Sequence, residues 1–199
     1  MMRNTGIILL AAGNSTRLGA PKQLLIYQGK TLLERIVDTS IQVFEKDKIV
    51  IVLGANHAKI ASHIKDKNIQ IVINEDWESG MASSLQAGLK SLLNSFPDME
   101  RCVISVCDQP YLSSEILLEM LTIADSSSKE IVAAEYAGTI GVPAIFSKKY
   151  FEQLKNLTGE QGAKKIIQQN MNDVVTFKFN DGAIDIDTPS DYENLKTKE

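Results

Sequence analysis

The segment Gly6-Ile7-Ile8-Leu9-Leu10-Ala11-Ala12-Gly13-Asn14-Ser15-Thr16-Arg17-Leu18-Gly19-Ala20-Pro21-Lys22-Gln23-Leu24-Leu25 sets the architecture to expect. Gly6 to Ala12 is an apolar run of strand length that passes straight into a loop punctuated by Gly13 and Gly19 and carrying two cations, Arg17 and Lys22. A short continuous apolar run bounded by turn residues reads as a buried strand. In an open parallel sheet, ligands bind beyond the carboxyl ends of the strands, which is where this loop emerges. Glycine permits the tight backbone that turns successive amides towards one anion, and the two cations suit phosphate oxygens. A polyphosphate fits these features, although composition alone describes an ordinary surface turn equally well. Two better-known loops are excluded. Gly19 is followed by Ala20 and Pro21 instead of lysine and a hydroxyl residue, and the order G-x-G-x-x-G is absent.

Outward from this loop, strand-length runs alternate with segments of helical period to about residue 110, the pattern of a parallel sheet covered by helices. A helix is expected from Thr31, with Glu34 completing a capping box and Leu32, Leu33, Ile36, Val37 and Ile41 forming its buried stripe. Strands follow at Ile49 to Leu53, Ile69 to Ile73 and Cys102 to Val106. Helices are expected from His57 to Lys65, from Ala82 to Leu93 with Leu85, Leu89, Leu92 and Leu93 inward, and after Ser113 or Ser114 with Ile116, Leu117, Met120 and Leu121 inward. Beyond residue 130 the runs Glu130 to Tyr136, Ala144 to Ser147 and Val174 to Phe179 are separated by shorter helices at about 148–156 and 160–169. This change predicts a mixed sheet within one domain, residues 1–199.

The charge balance, 25 acidic against 21 basic residues in 199, gives −4, so no net positive field exists to hold nucleic acid or an anionic membrane. Cys102 and Cys107 cannot build a disulfide framework; five apart on a strand they face opposite sides and read as buried, reduced thiols. Arg3 is the one charged residue before the first apolar run, which is too short for a signal-peptide core, and no run reaches membrane-spanning length, so a cytoplasmic protein is expected. His57 and His63, roughly 240° apart on a helix, share no face and read as boundary residues.

Asp108 stands where the fourth strand ends and Asp187 follows the short apolar segment near Ile184, so both can reach the same sheet edge. Two carboxylates with phosphate oxygens and water make the oxygen-only site that Mg2+ prefers. Alone, Asp108 reads equally as a turn carboxylate before Pro110. Gly80-Met81-Ala82-Ser83-Ser84 opens a helix whose free amides and hydroxyls can contact a base or ribose, or simply cap it.

The string Leu10 to Leu25 resembles the signature of the nucleotidyltransferases that hand a nucleotide to molybdopterin. It is more similar to the cytidylyltransferase branch, in Leu10-Ala11-Ala12-Gly13 followed by Ser15, Arg17, Gly19 and Lys22. The guanylyl relatives typically carry a second glycine where this chain has Ala12. Five further elements follow in order: Asn74 with Trp77, Gly80, Met81, Ser83, Ser84 and Leu85; Asp108-Gln109-Pro110; Gly141 with Pro143 and Phe146; Gly159-Glu160-Gln161-Gly162-Ala163; and Asp185-Ile186-Asp187-Thr188-Pro189.

The resemblance implies a three-layer Rossmann-like nucleotidyltransferase fold, its central sheet mostly parallel with one or more antiparallel strands in the C-terminal half. It implies transfer of a nucleotide, CMP from CTP, to the terminal phosphate of a molybdopterin-type acceptor with release of pyrophosphate. Leu10, Ala11, Ala12, Gly13, Arg17, Lys22, Asn74, Gly80, Ser83 and Ser84 would bind the nucleotide, with Arg17 on the leaving pyrophosphate and Lys22 near the reacting phosphorus. Asp108 and Asp187 would hold Mg2+, with Asp185 as the alternative ligand or a structural residue before the last helix. Gly159, Glu160, Gln161, Gly162 and Lys164 would meet the acceptor, although relatives commonly show Asp and Arg where this chain has Glu160 and Lys164. Such a protein would serve a client molybdoenzyme or its chaperone. Three other readings stay open: another phosphorylated acceptor such as a sugar phosphate, use of GTP, or a non-catalytic cofactor-delivery protein.

Overall fold

The structure is a computed structural model that describes residues 4–197, so Arg3 lies outside the described residues. Seven strands form one sheet in the order β5-β4-β1-β6-β8-β7-β9. Strands β1 (Thr5–Ala11), β4 (Ile49–Leu53), β5 (Gln70–Ile73) and β6 (Arg101–Val106) are mutually parallel. Strand β8 (Thr139–Ser147) runs antiparallel to β6 and to β7 (Ile131–Tyr136), and β9 (Val174–Lys178) is parallel to β7. The mostly parallel sheet with antiparallel pairing in the C-terminal half is the architecture expected.

Side chains alternate across the sheet. Ile7, Leu9, Ile51 and Val103 face α1 (Leu32–Ile41), α2 (His57–Ala61) and α4 (Ser114–Ser126). Ile8, Leu10, Val52 and Ile104 face α3 (Met81–Ser95), α5 (Phe151–Lys155) and α6 (Ala163–Gln169). These are the three layers. All five residues of β4 are buried, as a strand covered on both faces requires. Cys102 and Cys107 fall in opposite layers, both buried and free.

Helix α1 begins as its sequence dictates: the Thr31 side chain accepts from the Glu34 amide, and the Glu34 carboxylate accepts from the Thr31 amide. Helix α3 lies close on the sheet because Gly88 has no side chain; a Cβ there would stand 2.5 Å from Ile8 Cγ2. Ile41, Leu93 and Ile116 sit at the margins of their helices' apolar stripes and are half-buried, not buried as expected.

Several elements differ from the sequence expectation. Helix α2 stops at Ala61, four residues short of Lys65, and gives way to turns. Strand β8 starts at Thr139 instead of Ala144, since Gly141 and Pro143 interrupt the apolar run without ending the strand. The later helices shrink to Phe151–Lys155 and Ala163–Gln169. A small hairpin, β2 (Ile26–Tyr27) with β3 (Lys30–Thr31), was too short to show a period. The hairpin matters to the site: Tyr27 and Leu32 pack with Ile186 and with Leu195 of α7 (Pro189–Lys196), and Tyr192 Oη donates to Ile26 O at 2.8 Å. The C-terminal segment is thereby held beside the first loop. Among the described residues no helix is long and apolar enough to cross a membrane.

Candidate active site

The first loop leaves β1 at Ala11 and returns through a single 3-10 turn, Lys22–Leu24. Gln23, fully buried beneath it, donates from Nε2 to Ala11 O at 2.8 Å and Gly13 O at 3.0 Å. Ala12 O accepts from the Ala55 amide at 3.0 Å. Ser15 Oγ accepts from the Lys22 amide at 3.0 Å, which fixes where the lysine side chain departs.

Lys22 Nζ lies 2.5 Å from Asp108 Oδ2 and 2.8 Å from Asp187 Oδ1. Residues 86 and 165 positions from the lysine therefore converge on one ammonium. Asp108 follows β6, where the neighbouring Gln109 is buried and donates to Val142 O and Gly182 O, tying this turn to β8 and to the C-terminal segment. Asp187 is set by the start of α7: Asp191 Oδ2 accepts from the Thr188 hydroxyl and from the amides of Thr188 and Asp187 around a capping box, and those bonds hold the Asp191 carboxyl below its ordinary range.

Burial alone would lower the Lys22 pKa, but the Asp108 charge and the hydrogen bonds to Asp108 and Asp187 outweigh it, so the ammonium is held well above its ordinary value. Asp185 is pushed up by burial and by the charges of Asp108 and Asp187, which marks it as the third carboxylate of this corner. The Tyr136 hydroxyl is pushed up by burial and by the charges of Asp108 and Asp185, and its Oη donates to Val142 O at 3.0 Å.

Among the described residues no group of three or more His, Cys, Asp or Glu side chains is placed to hold a metal. Asp108 and Asp187 nevertheless aim oxygens at one point. That donor set fits Mg2+, which is bound through one or two carboxylates and completes its shell from phosphate and water.

Beside this trio opens a cleft of about 330 Å3, walled by Ala11 to Gly13 on one side and by Trp77, Gly80, Met81, Ser84 and Glu160 on the other. Leu10 and Lys22 line it, as do Gln23, Glu78 and Asp108. Gly80 adopts φ +109°, and a Cβ on it would meet Gly159 O at 2.3 Å. The Ala82 amide donates to Gly159 O at 3.0 Å, so the 159–162 loop closes against the start of α3.

The remaining expected residues divide. Asn74 and Ser83 stand behind the wall: Asn74 Nδ2 donates to Ser83 Oγ and Ser84 Oγ, fixing both hydroxyls. Arg17 is exposed on the loop, outside the cleft lining. Gln161 Oε1 accepts from the Thr158 amide, Gly162 packs on Met81 Sδ, and Lys164 Nζ donates to Thr139 Oγ1 at 2.7 Å, so of that loop Glu160 alone lines the cleft.

Trp77, Glu78 and Gln23 carry no role in the sequence reading. Trp77 was the most accessible to it, as the one tryptophan of the chain, beside Gly80. A larger cavity, about 580 Å3, lies beside Asn4, Phe44 and Arg101 at the opposite strand ends; there Arg101 is spent on Asp125 and Ala124 O.

Comparison with known proteins adds the family. Nicotine blue oxidoreductase of Paenarthrobacter nicotinovorans is 40% identical over 107 residues, 53% of this chain and 50% of that protein, so the match spans about half its length. Purine catabolism protein PucB of Bacillus subtilis is 26% identical over 95% of this chain and 94% of its own. Molybdenum cofactor cytidylyltransferase of Escherichia coli is 22% identical over 96% and 95%. The crystal structure of Rv0371c from Mycobacterium tuberculosis superposes with a TM-score of 0.83 at 29% identity, covering 98% of each chain. The sequence profile described as the MobA-like NTP transferase domain matches residues 7–174, and the chain therefore belongs to that family.

Proposed function

We propose that residues 1–199 form a single nucleotidyltransferase unit that transfers CMP from CTP to the terminal phosphate of a molybdopterin-type acceptor in the cytoplasm, with Mg2+ as cofactor. The observation that carries this reading is Lys22 Nζ held between Asp108 and Asp187 at the mouth of the cleft. Support for the acceptor comes from the family and from the full-length similarity to a molybdenum cofactor cytidylyltransferase. Support for cytosine is Ala12, which narrows the loop where guanylyl relatives typically have glycine.

In such a reaction an acceptor phosphate attacks the α-phosphorus and pyrophosphate leaves. Both partners are anions, so the protein's work is positioning and charge compensation. The first loop would cradle the phosphates, Lys22 would contact oxygens of the reacting phosphate, and Arg17 would close over the leaving pyrophosphate from the lip. Asp108 and Asp187 would hold Mg2+, which when bound neutralises phosphate oxygens. No side-chain base is needed because a phosphate monoester is already ionised near neutral pH. Ser84 and the start of α3 would face base and ribose, and Glu160 would meet the acceptor.

Mg2+-dependent pyrophosphate release, measured across CTP, GTP, ATP and UTP with a molybdopterin acceptor, tests the proposal. CTP is expected to lead; preference for GTP overturns the base assignment, and release only with sugar phosphates overturns the acceptor. The relative named an oxidoreductase, matched over half its length, supplies a second reading, reduction of an organic substrate. Consumption of a reduced nicotinamide cofactor without pyrophosphate release would favour it.

A further inference from the structure

We infer that Gln23 is the positioning residue of the phosphate-binding loop: its buried carboxamide holds the carbonyls of Ala11 and Gly13 and so aims the backbone amides of Ala12 and Asn14 at the nucleotide's phosphates, with the Gly13 amide between them set by the Ala12–Ala55 bond. This rests on the nucleotidyltransferase reading and assigns a role to a side chain whose amide nitrogen is spent on two carbonyls of the loop itself.

A trans peptide is planar, with its C=O and the following N–H pointing in opposite directions. The carbonyls of Ala11 and Gly13 are drawn down onto Gln23 Nε2, at 2.8 and 3.0 Å. The amides of Ala12 and Asn14 are accordingly turned up, away from the buried glutamine. Between them, Ala12 O is drawn onto the Ala55 amide at 3.0 Å, which turns the Gly13 amide away from β4. Three consecutive peptides thus have their carbonyls occupied on the protein side, and none of the three amides is used in a loop or turn hydrogen bond. Consecutive unspent amides are an anion-binding arrangement. Ala12 and Gly13 line the cleft that Lys22 also enters.

The carboxamide can do this in only one of its two orientations. Gln23 is wholly buried and its Oε1 has no protein donor. Turned over, the side chain would set Oε1 against two carbonyl oxygens, so the observed orientation is the one that pairs both. A glutamate here has no donor to offer, and a methionine fills similar volume without one.

The test compares wild type with Gln23→Met and Gln23→Glu by calorimetric titration with pyrophosphate, CTP and cytidine. Trp77, the sole tryptophan and a cleft residue, gives a parallel fluorescence readout. At least a tenfold loss of pyrophosphate and CTP affinity is expected in the variants, with cytidine affinity unchanged; a merely structural role would weaken all three together. Equal pyrophosphate affinity in wild type and a folded Q23M overturns the role of Gln23 and leaves the nucleotidyltransferase reading intact. Wild type that binds neither CTP nor pyrophosphate overturns both. Should the variants not fold, the wild-type amide resonances of Ala12, Gly13 and Asn14 decide: they shift on adding pyrophosphate if the amides are aimed as inferred, and unchanged resonances overturn it.

Discussion

Gly80 and Gly159 meet backbone to backbone, with room for no Cβ between them: one built on Gly80 would stand 2.3 Å from Gly159 O. The contact joins the start of α3 to the 159–162 loop and so sets the width of the cleft. Gly80 also adopts φ +109° and ψ 177°, a region that residues with a Cβ occupy only at a cost. Gly80→Ala is expected to destabilise the fold by about 3 kcal/mol, read as a lowered urea midpoint, and to weaken CTP binding. An unchanged midpoint would mean the loop simply slides away.

Lys22→Met removes the cation that Asp108 and Asp187 share. Lys22 and Asp108 are mostly buried, while 47% of the Asp187 side chain is exposed and solvent screens part of the loss. The expected stability cost is therefore only about 1–2 kcal/mol, whereas turnover should fall by about 100-fold or more if the lysine stabilises the reacting phosphate. Asp108→Asn tested alone and with K22M separates the pair: the two stability changes should be non-additive, because the residues touch.

Metal binding offers a check independent of turnover. With two carboxylates converging, Mn2+ titrated against the protein and followed by electron paramagnetic resonance should bind weakly alone and far more tightly with CTP. Asp187→Asn should weaken the second process at least tenfold. Equally tight binding without nucleotide would reveal a third protein ligand.

The Thr31–Glu34 capping box predicts a pH dependence. The Thr31 amide and hydroxyl both donate to Glu34, and these bonds hold the carboxyl below its ordinary value of 4.5. Because the folded value is lower than the unfolded one, the stabilisation is fully present above about pH 4.5 and is lost as pH falls through the folded value. Thr31→Ala should cost about 1 kcal/mol at neutral pH and flatten the acid limb of the stability curve.

Burial pushes both thiols up, Cys107 to about 12. At pH 8 neither is ionised, so a disulfide reagent should modify the fully buried Cys102 only as fast as the chain unfolds, and Cys107, which borders the cleft, slowly. Rapid labelling of Cys102 in native protein would contradict its burial.

Much of this molecule is legible in its residues. The β1 run, the five buried residues of β4 and the Thr31–Glu34 box announce themselves because each is a local pattern with one physical solution. That Asp108 and Asp187 reach one sheet edge, near the loop that carries Lys22, was expected from their places after apolar runs, and in the structure both carboxylates meet the Lys22 ammonium. Where the pattern is not local, it cannot be read. Gly141 and Pro143 hid the first half of β8, and β2 with β3 is too short for a period. No spacing rule reports that Gln23 turns under its own loop, that Gly80 lies on Gly159, or that Lys164 bends to Thr139.

The three charged groups of the site lie 86 and 165 positions apart along the chain, measured from Lys22. A nascent polypeptide still lacking its last strand and helix would already possess the glycine-bearing turn and Asp108, yet could not complete the acidic pair. Any capacity to capture a triphosphate productively should thus appear only once residues 174–196 have been made, when Ile186 seats against Tyr27 and carries Asp187 into place.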